Sequence, residues 1–462
     1  MKRENAHQDR RSFLFNLSML AGGLAVTSPL KGFDLNNRLR VVLVGTGVRG
    51  ITFWGKRLVD QYASKLQFVG LCDHNKGRLQ YAKEYMGVDC PLYTDFDEMM
   101  RANKVDLVIV CTKDSTHHEF IIKGLNYGCD VLTEKPLTTD EEKCQQIIDA
   151  EKKSDRRLIV GFNYRWGPYV TKIKELLNEG IIGEVTSVDF NWYLNVHHGA
   201  SYFRRWHGLM EEGGSLWVHK ATHHFDLLNW WLADEPEEVF AYGALEHYGS
   251  NGPFRGENCR TCVHKTTCNY YWDITKSKMD MNLYVNNEQY DGYVRDNCLF
   301  REEIDIYDKM SAQIKYRKNT VVNYSLTTYS PFEGWKIAFN GHKGRIEAWL
   351  DIPWMNNENL DQSALHASEM NQVASADQVV EPVILFKSWE DYKVVNVMSE
   401  RAGHGGGDKR LQDKLFLHPE APDPLNHAAG LKDGVLSIMV GIAARRSIEQ
   451  GKPIKIKDLV TI

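Results

Sequence analysis

Apolar runs at residues 38–44, 66–72, 107–111, 131–133 and 158–162 punctuate the first third of the chain, each pair separated by enough sequence for a helix. Continuous runs of this length read as strands buried on both faces, and their alternation with helical patterns predicts a doubly wound parallel sheet. Thr139-x-x-Glu142 is a capping box that predicts a helix reaching about residue 153. After residue 162 the period shortens. Residues 185–193 alternate, with Val188, Phe190 and Trp192 on one face, and 302–308, 312–316, 321–329 and 335–348 predict antiparallel strands joined by polar turns at 317–320 and 342–344. Residues 356–381 are polar and unpatterned, predicting a long loop or lid. Val435, Ile438, Met439 and Ile442 sit at helical spacing in a final helix, 434–450, predicted to return to the first domain. The expectation is an α/β Rossmann-type domain over 35–162, then an α+β domain over 163–462 with an open, mainly antiparallel sheet. A free sheet face needs a cover, and a second copy of the chain is the expected one.

Composition narrows the classes. The chain has 462 residues and a formal net charge of −5, with no basic stripe, which argues against a nucleic-acid partner. Residues 1–34 stand apart: Arg10-Arg11-Ser12-Phe13-Leu14 precedes a short apolar stretch and small residues, which reads as a twin-arginine signal. That predicts a periplasmic protein exported already folded, with no membrane span in the mature chain. Of nine cysteines, Cys259, Cys262, Cys268 and Cys298 fall in one polar insertion, 250–300. Four thiols so spaced predict a structural zinc or, in an oxidising compartment, two disulfides.

The chemistry-bearing motifs lie where strands end. Gly45-Thr46-Gly47-Val48-Arg49-Gly50 follows the first run, and Asp73 closes the second. This is the dinucleotide fingerprint in its proper setting: glycines for a tight turn and close backbone approach, helix-terminal N–H groups for a pyrophosphate, an acid for the ribose. Asp73 would repel a 2′-phosphate, favouring NAD; Arg78 nearby keeps NADP as the alternative. Glu134-Lys135-Pro136 sits past a later strand, at the edge where such sheets bind ligands, and a lysine there can orient the nicotinamide, hold a hydroxyl and relay a proton. Gly213-Gly214-Ser215 then opens a helix bearing His219 and His223, four apart, with Asp226 three further on; these imidazoles are candidate proton carriers, with zinc binding or core packing as the other readings.

Together these motifs resemble the glucose–fructose oxidoreductase, inositol dehydrogenase and rhizopine-catabolism (Gfo/Idh/MocA) family, over nearly the whole mature chain. The resemblance implies that Lys135 and His223 assist hydride transfer at a sugar or cyclitol hydroxyl. His219 stands where the family commonly has Asp or another polar group. Asn163-Tyr164-Arg165-Trp166 and Gly403-His404-Gly405-Gly406-Gly407-Asp408 look like members acting on glycosides, which implies that Asn163, Tyr164, Arg165 and His404 contact substrate. Arg204, Arg205, Trp206 and His207 are candidates for the same cleft. The implied activity is oxidation of a ring hydroxyl such as C3 with a cofactor that stays bound. The alternatives are a redox-neutral glycosidase working through a transient 3-ketone, and a sugar-binding protein on a dinucleotide fold.

Overall fold

A computed structural model describes residues 38–356, 361–363, 378–400 and 403–462. The signal-like segment 1–34 and most of the predicted loop at 356–381 lie outside them. Six strands, β1 (Leu39–Val44), β2 (Leu66–Cys72), β3 (Leu92–Tyr93), β4 (Leu107–Val110), β5 (Asp130–Thr133) and β6 (Leu158–Val160), form one sheet in the order β3-β2-β1-β4-β5-β6. Every pairing in it is parallel. The central strands are buried on both faces, as their unbroken apolar sequence requires. The chain crosses sides between β3 and β4, so the ends of β1 and β4 bound a crevice at the carboxyl edge.

Nine strands make the second sheet: β7 (Val185–Asn195), β8 (Pro236–Ala244), β9 (Lys309–Tyr316), β10 (Val321–Ser330), β11 (Gly334–Gly341), β12 (Gly344–Leu350), β13 (Gln378–Lys387), β14 (Lys393–Glu400) and β15 (Ile454–Lys455). Their order is β14-β13-β12-β11-β7-β10-β9-β8-β15. All neighbours are antiparallel except β7 and β10. Strict alternation of buried and exposed positions in β9 and β10 leaves one face on the core. Phe190, Trp192, Tyr324 and Trp335 face inward there. His224 belongs to this packing, stacked 3.6 Å from Trp192 with Nδ1 2.6 Å from the Tyr324 hydroxyl.

Three expectations change. Residues 302–308 are not a strand: Asp308 turns its carboxylate onto the backbone N–H groups of Glu246, His247 and Tyr248, holding a loop. The helix predicted from Thr139 begins at Glu141, because Asp140 is the residue whose side chain accepts the Lys143 N–H. Strand β13 starts inside the predicted loop, at Gln378. The final helix, Leu431–Gln450, lies beneath the second sheet and reaches the first through Arg446–Glu141 pairing at 2.6 Å. Its Arg445 donates to the carbonyls of Thr139 and Gly214, pinning the turn that precedes the two histidines.

Candidate active site

The fingerprint turn leaves β1 as its glycines dictate. Gly45 has φ +90°, and a Cβ there would lie 2.4 Å from the Cys111 carbonyl; one on Gly50 would lie 2.2 Å from the Gly45 carbonyl. The tight approach that a dinucleotide needs is therefore built in. Asp73, at the end of β2, accepts from Thr46 N at 2.8 Å and Asn75 N at 2.9 Å. Arg78 bridges Asp73 at 3.1 Å and Asp291 at 2.6 Å, so two carboxylates neutralise its guanidinium. Asp291 arrives from the Cys-rich insertion, as does Tyr284, whose hydroxyl meets the Val48 N–H at 2.9 Å. That insertion thus roofs the fingerprint, a contact invisible to local sequence. Arg49 turns from the turn toward Glu134, its Nε 2.6 Å from Oε1, where Trp54 Nε1 also donates at 2.7 Å. Glu134 and Arg49 therefore brace the fingerprint helix against β5. A glycine cradle, a buried acid and nearby cationic groups fit a nicotinamide dinucleotide.

Lys135 follows β5, and its Nζ donates to the His219 carbonyl at 3.1 Å. Burial holds its pKa down at about 8, against the pull of Asp114 and Glu134. His219 Nδ1 lies 2.5 Å from Asp114 Oδ2. Burial pushes Asp114 well above the usual carboxylate range, Lys135 opposing; burial, then the Lys135 charge, pushes His219 well below its ordinary value. Burial thus disfavours the charged form of each member of the pair. Asp114 opens the loop after β4 and is a functional candidate that the sequence reading missed; its place at the carboxyl edge was the available signal.

The predicted single helix is broken. It consists of Leu216–His219 and Ala221–Leu232, with Lys220 at φ −97° between them. His219 and His223 consequently enter different surroundings. His223 packs 4.8 Å from Tyr164, 6.2 Å from Phe162 and 5.8 Å from His404, ring to ring, and its buried Nδ1 has no partner among the described residues. His404, at φ +52°, places Nδ1 2.9 Å from Asn163 Nδ2 and 3.0 Å from Asp408 Oδ1. Against the cost of burial, His404, Arg49 and Asn163 hold the Asp408 carboxyl down at about 2. Asn163, Tyr164, His223 and His404 thus converge.

Arg165 does not join them. Its Nε and Nη2 grip Asp226 at 2.8 and 2.5 Å, Nη2 also meets Asp433 at 2.7 Å, and Nη1 reaches the Asn426 carbonyl at 3.2 Å. A guanidinium so engaged locks the histidine helix to the final helix and leaves little for a substrate. The zinc expectation finds no support: no group of three His, Cys, Asp or Glu side chains among the described residues is arranged to hold a metal ion. Cys259, Cys262, Cys268 and Cys298 are free thiols lining one small pocket. Arg204 Nη1 lies 2.9 Å from Cys259 Sγ, so a cation already stands at the cluster.

Residues 39–162 match the oxidoreductase family's NAD-binding Rossmann fold domain, and 174–456 match its C-terminal alpha/beta domain, both of Gfo/Idh/MocA type. The chain belongs to the Gfo/Idh/MocA oxidoreductase family. YteT of Bacillus subtilis (strain 168), an oxidoreductase by name, is 39% identical over 439 residues, covering 91% of this chain and 98% of YteT. An inositol 2-dehydrogenase/D-chiro-inositol 3-dehydrogenase of Lactiplantibacillus plantarum is 28% identical over 194 residues, 41% of this chain and 52% of that enzyme. Among solved structures, a levoglucosan dehydrogenase in complex with NADH and levoglucosan has the same fold at TM-score 0.62 and 15% identity, covering 91% of this chain and all of that one. The family's NAD-binding Rossmann fold domain spans the glycine turn and Asp73. No helix among the described residues is long and apolar enough to cross a membrane.

Proposed function

We propose that this protein is an NAD-dependent dehydrogenase acting on a ring hydroxyl of a sugar or glycoside, C3 being the favoured position. The observation that carries this reading is the chain Lys135–His219–Asp114 at the carboxyl edge of the dinucleotide sheet. A nicotinamide bound at the fingerprint supplies the hydride acceptor. Oxidising an alcohol also requires a base for the hydroxyl proton. Lys135, close to neutrality, is that base when its amine is free. His219, whose contact with Lys135 is through its backbone carbonyl, has Nδ1 committed to Asp114 and no partner on Nε2 among the described residues, so its ring relays a proton taken at Nε2 to Asp114. His223 offers its unpaired Nδ1 to a second hydroxyl, with Asn163, Tyr164 and His404 around it. Buried rings exclude water from the transfer. NAD is favoured over NADP because a 2′-phosphate would face both Asp73 and Asp291.

Incubation with p-nitrophenyl hexosides tests the reading. A ketosugar product with reduced cofactor supports it. Release of p-nitrophenol without net NADH would convert it to the glycosidase, and binding without turnover would end the enzymatic account. Residues 1–34 support twin-arginine export into the periplasm with cofactor loaded beforehand; cell fractionation of an Arg10/Arg11→Lys variant, expected to stay in the cytoplasm, checks it. The open outer face of the nine-stranded sheet supports assembly with a second copy, read by light scattering.

A further inference from the structure

Arg205 is only 8% exposed, yet among the described residues no carboxylate binds it. It closes the Val196–Arg204 helix, its Nε donates to the Ser201 carbonyl at 2.8 Å, and its guanidinium lies 5.3 Å from the centre of the Tyr202 ring. Its two Nη groups have no protein partner among the described residues. The neighbouring cation, Arg295, is by contrast satisfied, with Asp280 Oδ1 at 2.9 Å and the Tyr284 ring at 4.2 Å. Burial and the charge of Arg295 both work against a guanidinium at this place. A buried, unpaired cation is destabilising unless an anion completes it.

Its surroundings say where that anion sits. The Tyr202 ring beneath the Arg205 guanidinium lies 5.3 Å from the His219 ring and 5.4 Å from the His207 ring. His207 lies 4.2 Å from His219, ring to ring, and is stacked 3.6 Å from Trp206. The acid on this side, Asp114, is bound to His219 at 2.5 Å. Arg205 therefore stands beside the His219–Asp114 pair, one ring away from it. We propose that Arg205 is a substrate-anion subsite, its guanidinium fork receiving the planar carboxylate of an acidic sugar, a hexuronic acid or its glycoside. This rests on the dehydrogenase reading and narrows its substrate class. A fork with two free Nη groups matches one carboxylate in bidentate fashion, a geometry that neutral hexoses do not use.

Calorimetric titration of the NAD-loaded protein with D-glucuronate and D-galacturonate, beside D-glucose and D-galactose, tests the subsite without needing turnover. The uronates are expected to bind roughly tenfold to a hundredfold more tightly, the range of one charged hydrogen-bonded contact. Arg205→Gln should erase that discrimination while keeping its NAD content, and Arg205→Lys should keep part of it; if the Gln variant does not fold, the Lys variant decides. Equal binding of acid and neutral sugar, with hexoside oxidation intact, overturns the subsite and leaves the dehydrogenase reading standing. Loss of bound NAD from Arg205→Gln with discrimination preserved assigns the arginine to the cofactor's pyrophosphate and overturns it as well. Failure of all four sugars to bind overturns both.

Discussion

His219 and His223 stand four residues apart in a stretch that reads as one helix, and the fold gives them opposite circumstances. His219 is tied at both ends: Nδ1 to Asp114, backbone carbonyl to Lys135. His223 is packed among rings with an unsatisfied Nδ1. An imidazole already oriented by a carboxylate is built to move a proton. A buried ring nitrogen without a partner forgoes about 1–3 kcal/mol, which a ligand hydroxyl can restore. The break at Lys220 is what separates the two, so a relay and a substrate seat come from adjacent helical turns.

Removing Lys135, which holds the His219 carbonyl, has the largest effect. Lys135→Ala is expected to keep the dinucleotide, measurable by mass spectrometry, while kcat falls roughly a thousandfold or more. Normal turnover in that variant would break the comparison at its root. In the wild type, kcat/KM for oxidation should rise as pH climbs through about 8, because burial lowers the Lys135 pKa to that value and the free amine is the base. Next comes the relay. His219→Gln and Asp114→Asn should each cost roughly a hundredfold in kcat, and the double variant little more than either, since one pathway is cut twice. Additive losses would mean the two act separately.

The parts of this site that were legible in sequence are those built by neighbours. The glycine turn, Asp73 and Lys135 announce themselves because each is set by the strand it terminates, and the strands announce themselves by period. The pairings that give the site its chemistry are remote: Asp114 meets His219 from 105 residues away, and Tyr284 meets Val48 across 236. No local pattern encodes such contacts. The helix break carries no glycine or proline at Lys220, so periodicity ran through it. Strand β8 begins Pro-Glu-Glu and is hidden by its charges, of which Glu237 pairs with Lys315 of β9 at 3.2 Å. Arg165 misled for a related reason. Its motif marks the right strand end, but its charge is consumed by Asp226 and Asp433 from helices that only the tertiary fold brings near.

On the other side of the comparison, His223→Phe should preserve ring packing and remove the nitrogen a hydroxyl would meet. KM is expected to rise about tenfold with kcat changed far less, the loss of one hydrogen bond. A kcat collapse equal to that of His219→Gln would erase the distinction between relay and seat. The smallest effect on turnover belongs to Asp408, which bonds to the seat through His404 and Asn163 and otherwise stands 4.0 Å from Arg49. Its carboxyl is held at about 2, below the ordinary value of about 3.9, so its stabilisation is complete at neutral pH and is lost as pH falls from about 4 to 2. Asp408→Asn should therefore lower stability by about 2 kcal/mol at pH 7 in denaturant titration, and the gap from wild type should close under acid. The limb near pH 8 should not move, because it reports Lys135, on the far side of the break. A shifted limb in Asp408→Asn would mean the two halves of the cleft titrate as one.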